Sequence, residues 1–176
     1  INYAVGDVFG NDLNGAGSKA FVGFDLENDN LLGLLNAGLL SNYTISLYKD
    51  GSAVPDGSFS SSNLLATNLT LLAGQPGRVT LGFLTDKAFD EIVLNVGSVL
   101  STNATKVHGV VYKPFCAATG GDVLACNTLS NLSNPAHPLF INGLRTGNGG
   151  VANLGTISNT ENIINGSTSP ATITTV

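Results

Sequence analysis

The strongest constraint in this chain is a period of two in its apolar residues. Tyr43, Ile45 and Leu47 alternate with Thr44, Ser46 and Tyr48, and Val79, Leu81 and Phe83 alternate with Arg78, Thr80 and Gly82. Ile92, Leu94 and Val96 repeat the theme. Successive side chains of an extended strand point to opposite faces, so such a pattern folds as half-buried strands. The same reading predicts strands over residues 1–5, 20–24, 107–112, 139–142 and 172–176. Turn signals at Lys49-Asp50-Gly51, Pro55-Asp56-Gly57, Gly74-Gln75-Pro76-Gly77 and Thr85-Asp86-Lys87 separate them. Many short strands between such turns predict an all-β chain, an antiparallel β-sandwich of the jelly-roll or Ig-like kind. Two leucine-rich stretches, 31–40 and 63–72, interrupt the alternation. Gly33 and Gly38 weaken any helix in the first by about 1 kcal/mol each, and both stretches read as apolar connections that plug the ends of the sandwich.

Charge narrows the partners. Only 11% of the 176 residues are charged, against about 25% in an average soluble protein. The net charge is −5 and the isoelectric point about 4.6. Such a chain cannot neutralise many phosphates, which removes the main source of nucleic-acid affinity. Anionic membranes are disfavoured for the same reason, and no apolar run approaches the length of about 18 residues that a transmembrane helix needs. A surface rich in Gly, Ser, Thr and Asn suits a secreted or cell-surface β protein. The opening Ile1-Asn2-Tyr3, without an initiator Met, reads as a processed or excised product.

Cys116 and Cys126 bracket a short loop containing two glycines. They are expected to pair as a disulfide worth about 2–3 kcal/mol, which would place the chain in an oxidising, extracytoplasmic compartment. The alternative is two buried thiols. Two Cys without nearby His fall short of a zinc site.

The ends carry the most information. Ile1, Tyr3 and Val5 start strand-like at the first residue, and Ala171, Thr172, Ile173, Thr174, Thr175 and Val176 stop inside an alternating run. An unpaired strand leaves backbone donors and acceptors open to another chain. Residues 1–115 are therefore expected to form a sandwich body. Residues 116–138, rich in Gly, Asn, Ser and Pro, are expected to be a disulfide-containing linker, and residues 139–176 a segment donated to the next copy.

That last segment resembles a known module. Phe140-Ile141-Asn142-Gly143-Leu144-Arg145-Thr146-Gly147, Ser158-Asn159-Thr160-Glu161-Asn162-Ile163-Ile164-Asn165-Gly166-Ser167 and Ala171-Thr172-Ile173 are similar to the opening of a repeat module in large secreted surface and adhesin proteins of Bacteroidota-type bacteria. The middle of such modules resembles Ala20-Phe21-Val22-Gly23-Phe24 and Thr44-Ile45-Ser46-Leu47-Tyr48-Lys49-Asp50-Gly51. Their close resembles the stretch from Gly82-Phe83 to Asp90-Glu91-Ile92 and the strand ending Val110-Val111-Tyr112. Here the opening lies at the C-terminal end, so the resemblance implies one period of an array cut out of phase, or a subunit whose tail completes its neighbour. Both imply strand addition between copies and an open, head-to-tail homopolymer. Removing residues 139–176 is then expected to leave a soluble, unassembled body.

No catalytic constellation stands out, and the chain does not read as an enzyme. Asp25, Glu27 and Asp29 alternate in the manner of calcium ligands, with Asp7 or Asp12 joining, but Asn30 and Asn36 occupy the Gly and Glu positions of an EF-hand loop. Calcium is thus the only cofactor considered; the alternative is a solvated turn. Asp90 and Glu91 are adjacent in a strand, which points them to opposite faces and away from paired acid–base work. Asp90 is expected to accept local backbone amides, and His108 to be structural. Gly15-Ala16-Gly17-Ser18-Lys19 has the wrong order for a phosphate loop. Sequons at Asn42, Asn68, Asn103, Asn131 and Asn165 mark exposed loops wherever they are glycosylated. The second function considered is a carbohydrate-binding, lectin-like module that takes surface glycans. Without Trp, its stacking platform would fall to Tyr3, Tyr43, Tyr48 and Tyr112, for which core or cross-strand packing is the competing role.

Overall fold

The computed structural model describes residues 1–28, 43–59, 77–97, 104–115, 129–134, 137–148 and 155–175. Both leucine-rich stretches, Cys116, Cys126, Asp29 and Val176 lie outside the described residues. Among the described residues eleven strands follow in chain order: β1 Asn2–Asp7, β2 Ala20–Glu27, β3 Tyr43–Lys49, β4 Ser52–Phe59, β5 Arg78–Thr85, β6 Glu91–Val96, β7 Thr105–Pro114, β8 Ser130–Leu132, β9 Leu139–Ile141, β10 Gly155–Ser158 and β11 Ala171–Thr175. One 3-10 turn, Thr160–Ile163, precedes β11.

The strands form two antiparallel sheets. One has the order β4-β3-β6-β1-β9; the other runs β10-β11-β7-β2-β5, with β8 alongside the distal half of β7. The inward faces follow the period-two pattern. Tyr43, Ile45 and Leu47 meet Ile92, Leu94 and Val96 in the first sheet, and Val79, Leu81 and Phe83 meet Val22, Phe24 and Leu26 in the second. All twelve belong to one hydrophobic core. The rings of Phe59 and Phe83 stack with centroids 3.7 Å apart, closing the core where edge strands β4 and β5 face each other.

Two local devices shape the sheets. Asp50 and Gly51 both adopt positive φ, at 50° and 78°, as the tight β3–β4 hairpin requires. Gly23 and Gly82 face each other across β2 and β5, and a methyl group on either would run into the partner strand's backbone. Only glycine permits that approach.

Neither terminal strand is an edge. β1 lies between β6 and β9, and β11 lies between β7 and β10 of the same molecule, so the backbone expected to stand open is taken up within the chain. The span read as a linker also contributes structure: β8 pairs with Val110, Val111 and Tyr112, and Leu132 enters the core.

Candidate assembly site

The C-terminal segment completes both sheets. Leu139, Ile163, Ile164, Ala171 and Ile173 are buried in the core built by residues 1–115. Four of these are large aliphatic side chains worth about 1.5–3 kcal/mol each. Their total is comparable to the whole stability of a domain, about 5–15 kcal/mol. A chain cut at residue 138 would also strip β9 from β1 and β11 from β7, exposing one side of each strand, so deletion is expected to unfold the body. The sequence reading expected a soluble, unassembled remainder instead.

Polar contacts fix the register of that seam. The Tyr3 hydroxyl donates to the Thr160 carbonyl. Burial, with a smaller contribution from the Glu161 charge, raises the Tyr3 phenol far above its ordinary value, so it remains a donor. Asn134 grips Leu139 from both sides: its Nδ2 donates to the Leu139 carbonyl at 3.1 Å, and its Oδ1 accepts the Leu139 amide at 2.8 Å.

Beyond β9 the chain stays beside β1 but bulges outward. Asn142 N donates to the Ala4 carbonyl at 3.0 Å, and Asn2 and Gly147 exchange backbone bonds at 2.8 Å each way. Between them Thr146 Oγ1 accepts the Ala4 amide at 2.9 Å, taking the place of a missing ladder partner. The bulge docks on Glu91 of β6. Asn142 Nδ2 donates to Glu91 Oε2 at 2.7 Å, and Arg145 Nε donates to Oε1 at 2.5 Å. Arg145 Nη2 reaches the Gly51 carbonyl at 3.2 Å, and the guanidinium lies 3.8 Å from the Tyr48 ring centroid. The apolar pattern reaches only to residue 142 and resemblance alone singled out Arg145; no spacing rule links it to residues 54 and 97 positions earlier.

The other candidates fall elsewhere. Asp25 accepts Arg78 through both oxygens, with Nε at 3.0 and 3.1 Å and Nη2 at 2.6 Å. Glu27 accepts Lys106 Nζ at 2.8 Å and bonds His108 Nε2 at 2.7 Å. The Lys106 bond is the chief reason that its carboxyl is held below the usual glutamate range. Asp7 instead caps its own loop by accepting the Phe9 and Asn11 amides, and Asp12 pairs with Lys49 in the same region. The structure therefore turns Asp25 and Glu27 toward cations of the protein itself. Among the described residues no three His, Cys, Asp or Glu side chains are grouped to hold a metal ion. Asp90 accepts a backbone amide, but that of Asp50, 40 residues away, at 2.9 Å. His108 lies in β7, at an irregularity in its register with β2.

The tyrosines are spoken for. Tyr3 and Tyr43 are fully buried, with Tyr43 bonded to Thr105 Oγ1 at 2.9 Å. Arg145 covers Tyr48, and Tyr112 donates to Asn14 Oδ1 at 2.9 Å. Sequence reasoning did not anticipate a groove of about 540 Å³ beside the ends of β4, β5 and β7, where Phe59, Leu84 and Phe115 meet Lys19, Asp56 and Lys87. No protein-family model, curated protein or solved structure matches the chain. The fold class therefore rests on the strands themselves: an all-β, two-sheet antiparallel sandwich.

Proposed function

We propose that this chain is a non-catalytic structural module of an extracellular surface fibre or adhesin, joined head to tail by exchange of residues 129–175 between copies. One observation carries the reading: this segment brings strands to both sheets and large side chains to the core, so the body is incomplete without it. In the single chain the segment closes on its own body. The same contacts made with a neighbour need no new interface, which is what makes such exchange a low-cost route to assembly. The resemblance to modules that open with the Arg-Thr-Gly segment supports the same order of joining, and the predicted disulfide suits an extracellular site.

Closure and exchange compete through concentration. An attached segment has an effective concentration of millimolar order. Chains folded at micromolar concentration are expected to close individually, and chains folded together at millimolar concentration to join. Electron microscopy and sedimentation of both preparations test this. Thin fibres in the concentrated one alone are expected, and monomers in both would overturn the proposal. The lectin-like alternative draws on the groove beside Phe59 and Phe115. Glycan-array binding abolished by Phe115→Ala, without polymers, would favour it instead.

A further inference from the structure

Glu91 and Tyr48 form a small reading site on the outer face of the five-stranded sheet. They pair directly across β6 and β3, and Glu91 pairs with Gly6 on β1, which in turn pairs with Phe140 on β9. The row thus crosses four strands, the last of which belongs to the C-terminal segment. Gly6 leaves the space that the Phe140 ring occupies; a methyl group there would come within 2.9 Å of the ring. Past that ring, Asn142 and Arg145 arrive at the two oxygens of one nearly buried carboxylate. The body offers a negative charge beside an aromatic face, and the segment offers a planar cation and an amide.

Resting on the exchange reading, we infer that Glu91 with Tyr48 selects which C-terminal segment a body accepts, and that Arg145 is the residue it reads. The chemistry is specific to arginine. A guanidinium can donate to Glu91 and to the Gly51 carbonyl while stacking on Tyr48; an ammonium is a point charge that cannot do all three. Asn142 and Thr146 set the bulge that presents Arg145, and act as positioning residues. A segment lacking arginine at this place would leave Glu91 shielded from water and without its cation, a costly arrangement that rejects the wrong partner.

A competition between full-length chains tests this. Val5 and Ile141 face each other on β1 and β9, flanked by the Val8–Pro138 and Ala4–Asn142 backbone bonds. They are thus a non-hydrogen-bonded pair, close enough for a disulfide. Acceptor chains carrying Val5→Cys are co-folded at high concentration with two donors, both carrying Ile141→Cys, one of them also Arg145→Lys. Peptide mass spectrometry counts the interchain bonds. The Arg145 donor is expected to be captured about tenfold more often, and an acceptor with Glu91→Gln should lose that preference. Equal capture by the unaltered acceptor would overturn the selection role while leaving exchange intact. A preference that persists with Glu91→Gln would assign the effect to donor folding alone and equally overturn it. No interchain bond with either donor would refute exchange, and selection with it.

Discussion

At the scale of single residues, side chains far apart in sequence decide what each charged group can do. Asp25 and Glu27 look like cation ligands because their spacing is local, whereas Arg78, Lys106 and His108 lie about 50 to 80 positions away. The Lys106 bond lowers the folded-state value of Glu27. Its contribution to stability is therefore present above the unfolded glutamate value of about 4.3 and lost as pH falls through the lower folded value. Denaturant titrations from pH 6 to 3 are expected to show a shallower acid limb for Glu27→Gln. The cost near neutrality should stay within about 1 kcal/mol, because Lys106 is partly solvated. Glycines carry a harder constraint. Gly23→Ala and Gly82→Ala each force the paired backbones of β2 and β5 apart. Each should cost more than the ~1 kcal/mol of an ordinary substitution, seen as a lower thermal midpoint, whereas Gly143→Ala, which meets open space, should be near neutral.

At the scale of elements, regular alternation was legible and short or bent strands were not. The strands at 43–49, 78–85 and 91–96 carry three inward apolar residues each, enough for the period to show. β4 contains Pro55, Asp56 at φ 56° and Gly57, which together read as a turn. In the structure the ladder jumps from Ser46–Ser58 to Tyr48–Ala53, so residues 54–57 bulge opposite Leu47 and remain within one strand. Such a bulge, with Pro55, also blunts an edge against unwanted pairing. β8 and β10 have only three and four residues, too few for a period to declare itself. The two terminal strands were found but their neighbours were not, because pairing partners are a tertiary choice. Burial in β11 makes a direct prediction. Ile173→Ala should cost about 2–5 kcal/mol, and Ile157→Ala on edge strand β10, where the side chain is half-buried, clearly less. Chemical unfolding of both variants checks the order, and equal losses would mean that β11 is not part of the core.

At the scale of the whole molecule, the sandwich is built from a body and a tail that share one core. Within the expected division into body, linker and donated segment, β8 falls inside the residues read as linker, and Ile163 and Ile164 reach the core from a 3-10 turn. A contact map of a closed chain is the same whether the tail comes from that chain or from an adjoining copy, so connectivity between molecules must be measured. Fibres grown from an equal mixture of 15N-labelled and 13C-labelled chains allow that by solid-state NMR. Exchange predicts 15N–13C cross-peaks between Val5 of one chain and Ile141 of another, across the β1–β9 ladder. Fibres without those cross-peaks, or chains that stay single at every concentration, would contradict it.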